Sequence, residues 1–367
     1  MKRCIVISGI NLVDGGTYTI IRECLDAISN SYFSTKYRVI ALVHKKDLFP
    51  VYSDIELIEF PKSKKNYFLR FYYEYIKFGK ISKKLKPMLW LSLHDMSPIV
   101  DADVQAVYMH NPSPFLGRPK SLSFRGIGFS SLYKYIYRIN IHSNDYLIVQ
   151  QNWLRDAFSK MFAFPKEKII VARPASIEST VFSENVSVIP KDEKIFVYAS
   201  YPRGFKNFEV ICEAVQLLEK KGINNFHVNL TLDGSENDYS KMLVEKFAHL
   251  KQLCFIGLQP RELMHKLYSE SDCLIFTSKA ETWGLPISEY MMFGKPMILA
   301  DLPYAHETSA GSVKTAFVNP DDPDTLADRM IDIINNDFNH YSAVPIVSVN
   351  EPKTKSWEEL FNLLIKE

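Results

Sequence analysis

Apolar residues fall in short, dense runs along this chain, and the runs are spaced by segments of helical period. The first series is Cys4–Ile10, Tyr37–Val43, Ile55–Phe60, Met88–Leu93, Ala106–His110 and Tyr146–Val149. A second follows at Lys168–Ala172, Ile195–Ala199, His227–Leu232, Cys254–Gly257, Cys273–Thr277, Met297–Ala300 and Ala316–Val318. Runs this apolar read as strands covered on both faces. Between them, Tyr18–Asn30, Trp153–Met161, Phe208–Lys221, Tyr239–Leu250, Arg261–Ser269 and Asp324–Asn335 repeat apolar positions every three or four residues. Strands alternating with helices predict an α/β protein with parallel sheets, and two such series predict two doubly wound domains.

The boundary falls in Ala172–Asp192, where Arg173-Pro174-Ala175, a polar stretch and Ile189-Pro190-Lys191 give linker composition. The expected domains are residues 1–175 and 190–345, with a last helix, Ser356–Glu367, after a loose stretch holding Pro345 and Pro352.

The 367 residues suit two ordinary domains, and 47% apolar with 23% charged residues suits a soluble globular chain. Five scattered cysteines without a CxxC pair read as buried thiols in a reducing compartment, and no zinc site is visible. The start, Met-Lys-Arg-Cys-Ile-Val-Ile-Ser, has too short an apolar run for a signal peptide and reads as a first buried strand. No stretch is long and apolar enough to span a bilayer. The net charge of +2 hides an asymmetry: residues 1–173 carry 26 Lys/Arg against 14 Asp/Glu, residues 174–367 carry 18 against 28. The halves therefore present opposite fields.

Candidate chemistry concentrates in residues 272–301. An apolar run, a loop holding Glu281, a helix start with Glu289 and a stop at Gly294 form a strand–helix–strand unit. Its loop lies at the carboxyl end of a strand, where open α/β sheets bind ligands. The amides of Trp283, Gly284 and Leu285 stand at the helix start, where unpaired donors meet phosphate or hydroxyl oxygens. Either carboxylate alone equally suits simple compensation of a helix dipole. Tyr198–Phe208 is a second loop between strand and helix, with Arg203, Lys206 and Asn207; its cations suit a diphosphate or mere solvation. Gly15 and Gly16 follow the first strand and open a helix, but the G-x-G-x-x-G spacing and the G-x-x-x-x-G-K-[ST] loop are both absent. His110 ends a strand before Asn111-Pro112-Ser113-Pro114, at the mouth of the first sheet. His94 is placed in the same way. Asp233-Gly234-Ser235 reads as a structural turn.

Glu281-Thr-Trp-Gly-Leu-Pro-Ile-Ser-Glu289, with Phe293-Gly-Lys-Pro296 and Asp301–Glu307, resembles the donor-site signature of family-four retaining glycosyltransferases. Cys254–Pro260, Leu263–Tyr268 and Phe317–Leu326 continue the resemblance in register, so residues 195–335 are well covered and the first half only at separated points. Transferases that build bacterial O-antigen or capsule repeats are similar in kind.

The resemblance implies the GT-B architecture, two Rossmann-like domains with parallel sheets facing a central cleft. It implies a first domain that binds acceptor, a second that binds a nucleotide-sugar donor, and a final segment, 352–367, crossing back to the first. It assigns Lys206 and Arg203 to the diphosphate, although the usual Arg–Lys separation is longer than here. It assigns Glu281 to the sugar hydroxyls, Glu289 to the ribose and His110 to sugar orientation. Gly15, Gly16 and the backbone around Leu258 would lie near donor phosphates and base. No cofactor and no metal are implied, because cationic side chains replace the ion.

A basic, aromatic region completes the reading. Residues 62–90 hold nine Lys/Arg and one Glu among many Phe and Tyr, and residues 118–138 hold five Lys/Arg and no acid. Either these are helices with an aromatic core face and solvated lysines, or they dock on an anionic membrane. The resulting expectation is a cytoplasmic transferase, peripheral on the inner membrane, with a polyprenyl-diphosphate-linked glycan acceptor. No nucleic-acid recognition motif is present. A GT-B nucleotide-sugar epimerase and a non-catalytic sugar-nucleotide-binding subunit are the alternatives.

Overall fold

A computed structural model describes residues 2–115, 134–173 and 193–365. The chain divides into two compact units, residues 1–175 with 349–367, and residues 176–348. Most of the predicted junction, 174–192, and residues 118–133 of the second basic segment lie outside the described residues.

In the first unit the strands are β1 (Cys4–Gly9), β2 (Arg38–Val43), β3 (Ile55–Glu59), β4 (Leu89–Ser92), β5 (Val104–Tyr108), β6 (Tyr146–Val149) and β7 (Ile169–Ala172). In the second they are β8 (Lys194–Tyr198), β9 (Phe226–Leu230), β10 (Leu253–Phe255), β11 (Cys273–Phe276), β12 (Met297–Ala300) and β13 (Thr315–Val318). A two-residue strand, β14 (Lys353–Thr354), returns to the first unit. The sheets run β14-β7-β6-β5-β4-β1-β2-β3 and β10-β9-β8-β11-β12-β13. Every neighbouring pair is parallel. β1, β4, β11 and β12 are buried at every position, as their unbroken apolar runs require.

The orders contain the decisive topological fact. The first sheet grows outward from β1 through β2 and β3, and then from β4 the other way. The second grows from β8 through β9 to β10, and then from β11 the other way. The strand order therefore reverses between β1 and β4, and between β8 and β11. A crevice opens outside the carboxyl ends of strands at such a reversal, because the two flanking crossovers leave on opposite faces. The loops after β1 and β4, and those after β8 and β11, border these crevices.

The helix Trp357–Ile365 belongs to the first unit. Leu360, Phe361, Leu364 and Ile365 lie on one stripe and join the core formed by Ile21, Cys24, Leu25 and Ile28 of helix Gly15–Ser29. Phe361 packs against Phe33 at 5.5 Å between ring centroids, and Tyr32 donates to Asn362 over 2.7 Å.

Two local expectations shift. Helix Gly15–Ser29 begins three residues before the expected Tyr18, its first turn closed by the Tyr18 N–H donating to the Asp14 carbonyl over 3.3 Å, and Gly15 supplies the φ of 60° at its entry. The helical stretch from Tyr67 to Leu85 is interrupted by a π-turn at Tyr73–Lys77. That turn sends Tyr73, Glu74 and Phe78 inward, and leaves Tyr67, Phe68, Tyr72 and Ile76 exposed.

Candidate functional site at the sheet reversals

The loop after β8 is fastened before it carries any chemistry. Tyr198, fully buried, donates its hydroxyl to the Lys206 carbonyl over 2.5 Å. Asn207 sits at φ 60°, a conformation that Asn tolerates because its short polar side chain bonds locally. Its amide donates to the Thr277 carbonyl (3.2 Å) and the Pro320 carbonyl (2.6 Å), and Thr277 Oγ1 donates back to the Asn207 carbonyl. Lys279 N–H donates to the Phe205 carbonyl at 2.8 Å. The loops after β8, β11 and β13 are thus tied into one rim, and Asn207 is its central tie. The sequence names Asn207 beside Lys206, but not this cross-linking, which depends on strand order.

On that rim Lys206 Nζ and Glu281 Oε1 form an ion pair across the β8–β11 reversal. Their side chains are only 16% and 14% exposed. The ammonium also lies 5.4 Å from the Phe205 ring and 6.0 Å from the Phe276 ring, over apolar faces that lower the local dielectric. A desolvated cation and a desolvated carboxylate, partnered across the crevice, can exchange that partner for an anion and for hydroxyl groups respectively.

The other predicted residues distribute around the pair. Arg203 is exposed, with its guanidinium 5.6 Å above the Tyr201 ring, and is not joined to Glu281. Trp283 donates its indole N–H to Ser288 Oγ over 3.2 Å, and its carbonyl accepts from Thr308. Gly284, at φ 91°, makes the bend that opens helix Leu285–Met291; Leu285 begins it with its side chain exposed. Glu289 stands on that helix and accepts from Tyr268 over 3.2 Å. Burial raises the Glu289 carboxyl above its ordinary range, opposed by Tyr268 and Arg261. Glu281 and Glu289 therefore have separate partners. Leu258 is exposed in the loop after β10, next to Gly257, where a Cβ would meet Asp233 Oδ2 at 2.9 Å.

The first unit has its own constellation at the β1–β4 reversal. Gly15 and Gly16 open their helix with free space where a Cβ would stand. His110 is half-buried after β5 and stacks on Tyr108 at 4.5 Å. Its Nε2 lies 2.8 Å from the Leu93 carbonyl, which only accepts, so Nε2 carries the proton and Nδ1 is left as an acceptor. Nδ1 is buried with no partner among the described residues. Burial lowers the His110 pKa, with Asp95 and the Leu93 carbonyl opposing, so the ring favours the neutral form.

Asp95 holds this arm in place. Its Oδ1 accepts from the amides of His110 (2.5 Å) and Asn111 (3.1 Å) and from Tyr137 OH (2.8 Å). Asp95 itself sits at φ 67°. The sequence places it beside His94, but nothing there marks the left-handed backbone or the three donors. His94 is fully inside, 3.1 Å from Ser8 Oγ. Among the described residues no three His, Cys, Asp or Glu side chains come together as a metal site, and no helix is long and apolar enough to cross a membrane.

Residues 181–344 match the family described as Glycosyl transferases group 1. The O-antigen chain mannosyltransferase B of Escherichia coli is 23% identical over 208 residues, covering 54% of this chain and 54% of that protein. The chain thus spans about half the length of the curated relatives it matches. Among solved structures, WaaG, a glycosyltransferase involved in lipopolysaccharide biosynthesis, superposes with a TM-score of 0.68 at 14% identity, covering 90% of each chain. Sucrose-phosphate synthase from Thermosynechococcus elongatus gives 0.66 at 15% identity, covering 91% of this chain and 90% of that one. At these identities the likeness establishes the fold: α/β, with two parallel sheets, as in GT-B glycosyltransferases.

Proposed function

We propose that this chain, whose residues 181–344 match the family described as Glycosyl transferases group 1 and which resembles bacterial O-antigen glycosyltransferases, transfers a sugar from a nucleoside-diphosphate donor to a glycan hydroxyl. The observation that carries the reading is the desolvated Lys206–Glu281 pair across the β8–β11 reversal. A sugar diphosphate offers both groups what they lack without each other: oxygens of negative charge for Lys206 and hydroxyl donors for Glu281.

In the proposed reaction the bond from the anomeric carbon to the diphosphate oxygen breaks, and the acceptor oxygen forms the new bond on the same face. The acceptor proton passes to the departing diphosphate. Lys206 stabilises the charge that develops there, which is where a fixed cation contributes most. Glu281 orients the donor sugar and Glu289 takes the ribose hydroxyls, while the Nδ1 acceptor of His110 offers the first unit's own contact to a hydroxyl. Arg203 contributes only by leaving Tyr201 for the diphosphate. No metal is required in this scheme. The similarity to an O-antigen chain mannosyltransferase supports a growing polysaccharide as acceptor, and its lipid linkage is part of the proposal. Docking on an anionic bilayer is supported by Phe68, Tyr72 and Ile76, exposed on one helical stretch beside Lys80, Lys83 and Lys84.

The test is calorimetric titration with UDP, GDP, dTDP, CDP and ADP in the presence of EDTA, followed by transfer assays with the sugar conjugates of whichever binds. One diphosphate should bind without metal, and its sugar conjugate should be consumed only when acceptor is added, with the anomeric configuration kept. Consumption without acceptor would mark an epimerase. Binding with no turnover on any lipid-linked glycan would mark a binding subunit, and no binding of any of the diphosphates or their sugar conjugates would overturn the donor site. Vesicles with anionic lipid should retain the wild type and release Phe68→Ser/Ile76→Ser.

A further inference from the structure

Beneath the loop after β4 lies a second polar cluster that the proposed transfer does not use. Ser8 is the last residue but one of β1, Glu74 sits in the π-turn, and His94 follows β4; all three side chains are fully inside the first unit. His94 Nε2 lies 3.1 Å from Ser8 Oγ, and His94 Nδ1 lies 3.3 Å from Glu74 Oε1. Arg70 completes the cluster, donating from Nη2 to the His94 carbonyl at 2.7 Å and lying 3.4 Å from His94 Nδ1.

The donor inventory fixes where the protons are. A guanidinium has only N–H groups to offer, so Nδ1, facing Arg70, is the bare nitrogen of the ring. Nε2 then carries the hydrogen and donates to Ser8 Oγ. Glu74 Oε1 faces the same bare nitrogen, and neither carboxyl oxygen has a hydrogen bond among the described residues. Two lone pairs opposed at 3.3 Å in a dry interior repel, and an ionised carboxylate there is left unserved. One proton on Glu74 removes the charge and makes Oε1 a donor to Nδ1, whose single lone pair it shares with the longer contact from Arg70.

We propose that Glu74 is a protonated carboxylic acid which, through His94 and Ser8, positions the loop that carries Asp95 and thereby sets His110. The link is short. His94 is the residue before Asp95, its carbonyl is held by Arg70, and Asp95 receives the His110 amide. Glu74 and His94 are positioning residues, since neither reaches the surface. The π-turn gives the sequence reason. An extra residue in the helical turn rotates Glu74 inward, and such turns are frequently tied to function.

The electrostatics agree with the geometry. Burial lifts the Glu74 carboxyl to about 8, with Arg70 opposing, and burial with Arg70 holds His94 well below the ordinary imidazole range. The ionisable groups facing Glu74 are Arg70 and Tyr75 from its own helical stretch and His94 from the β4 loop, with His110 beyond. Above about pH 8 the acid ionises and Arg70 gains a competitor to the His94 carbonyl, so the loop loosens. This inference concerns the first unit and does not rest on the transferase reading.

The experiment is imidazole ¹⁵N NMR of the full chain labelled at histidine, from pH 5.5 to 9.5, for wild type, Glu74→Gln and Glu74→Ala. In the wild type, His94 should remain the neutral Nε2–H tautomer throughout, with an inflection of its Nδ1 signal near pH 8. Glu74→Gln, which offers an N–H to Nδ1 at every pH, should abolish that inflection and leave His110 at its wild-type position. Glu74→Ala should move the signals of both His94 and His110. The proposal is overturned if His94 titrates with an ordinary midpoint between about 6 and 7, or if the inflection survives in Glu74→Gln. An unmoved His110 in a folded Glu74→Ala overturns the positioning role. Should Glu74→Ala fail to fold, Ser8→Ala replaces it, breaking the chain at its other end, and must shift both histidines.

Discussion

The Lys206–Glu281 pair makes a prediction whose sign differs between stability and binding. Replacing Glu281 by Gln leaves an ammonium in a place where only 16% of its side chain meets solvent, and replacing Lys206 by Met leaves a carboxylate with 14%. Breaking a fully buried pair from one side costs about 3–5 kcal/mol, because the surviving charge stays desolvated. The residual exposure here reduces this to about 2–3 kcal/mol for either single variant. The double variant Lys206→Met/Glu281→Gln strands no charge and should cost about 1 kcal/mol, so the cycle gives a coupling of about 3–5 kcal/mol. Hydrogen exchange of second-unit peptides, against denaturant, reads these values without requiring the whole chain to unfold in one step. Binding should move differently. Glu281→Gln removes the carboxylate that competes for Lys206, so the unsubstituted nucleoside diphosphate should bind several-fold tighter while its sugar conjugate binds more weakly. Lys206→Met should weaken both by about 10²-fold, the loss of one charge-assisted contact. Single variants that add within about 0.5 kcal/mol, or a Glu281→Gln protein that loses diphosphate as Lys206→Met does, would refute the idea that the pair holds a site closed on itself.

Three further outcomes are expected. Glu289→Gln should flatten part of the pH dependence of second-unit stability. The folded pKa of Glu289 is raised, so its contribution is full below the unfolded value near 4.5 and is lost as pH rises through the folded value; denaturation midpoints at pH 5 and 8 should converge in the variant, and an unchanged difference would contradict the burial argument. Asn207→Gly preserves the left-handed backbone but removes both side-chain bonds, whereas Asn207→Ala removes the bonds and strains the backbone; losses of about 1–2 and about 2–3 kcal/mol should appear in that order, and equal losses would assign no role to the backbone angle. Leu360→Ala should destabilise the first unit by about 2–5 kcal/mol through the cavity left beside helix Gly15–Ser29, with exchange in the second unit unmoved.

Much of the fold was legible because burial on both faces leaves an unmistakable trace. Cys273-Leu-Ile-Phe276 and Met297-Ile-Leu-Ala300 can be little else than interior parallel strands, and Gly294, at φ 61°, marks the turn between helix and strand that its identity suggests. The acidic and basic residues at strand ends were equally visible: Lys206, Glu281, Glu289 and His110 stand at the carboxyl ends of strands or on the helices that follow them. What composition and spacing left open was partnership. Residues far apart in sequence meet only through strand order, and no local pattern encodes that β8 lies beside β11.

The sequence by itself determined the alternation of strand and helix, the two series, and which titratable side chains end up at the mouths of the sheets, because period and polarity act over a few residues. Only the tertiary structure decided that Lys206 faces Glu281 while Arg203 rests on Tyr201, and that Asn207 ties three loops. It alone placed Asp95 under His110 and Glu74 against His94. Those outcomes depend on desolvation and on the supply of donors and acceptors in an assembled interior, quantities that no stretch of chain possesses before it is folded.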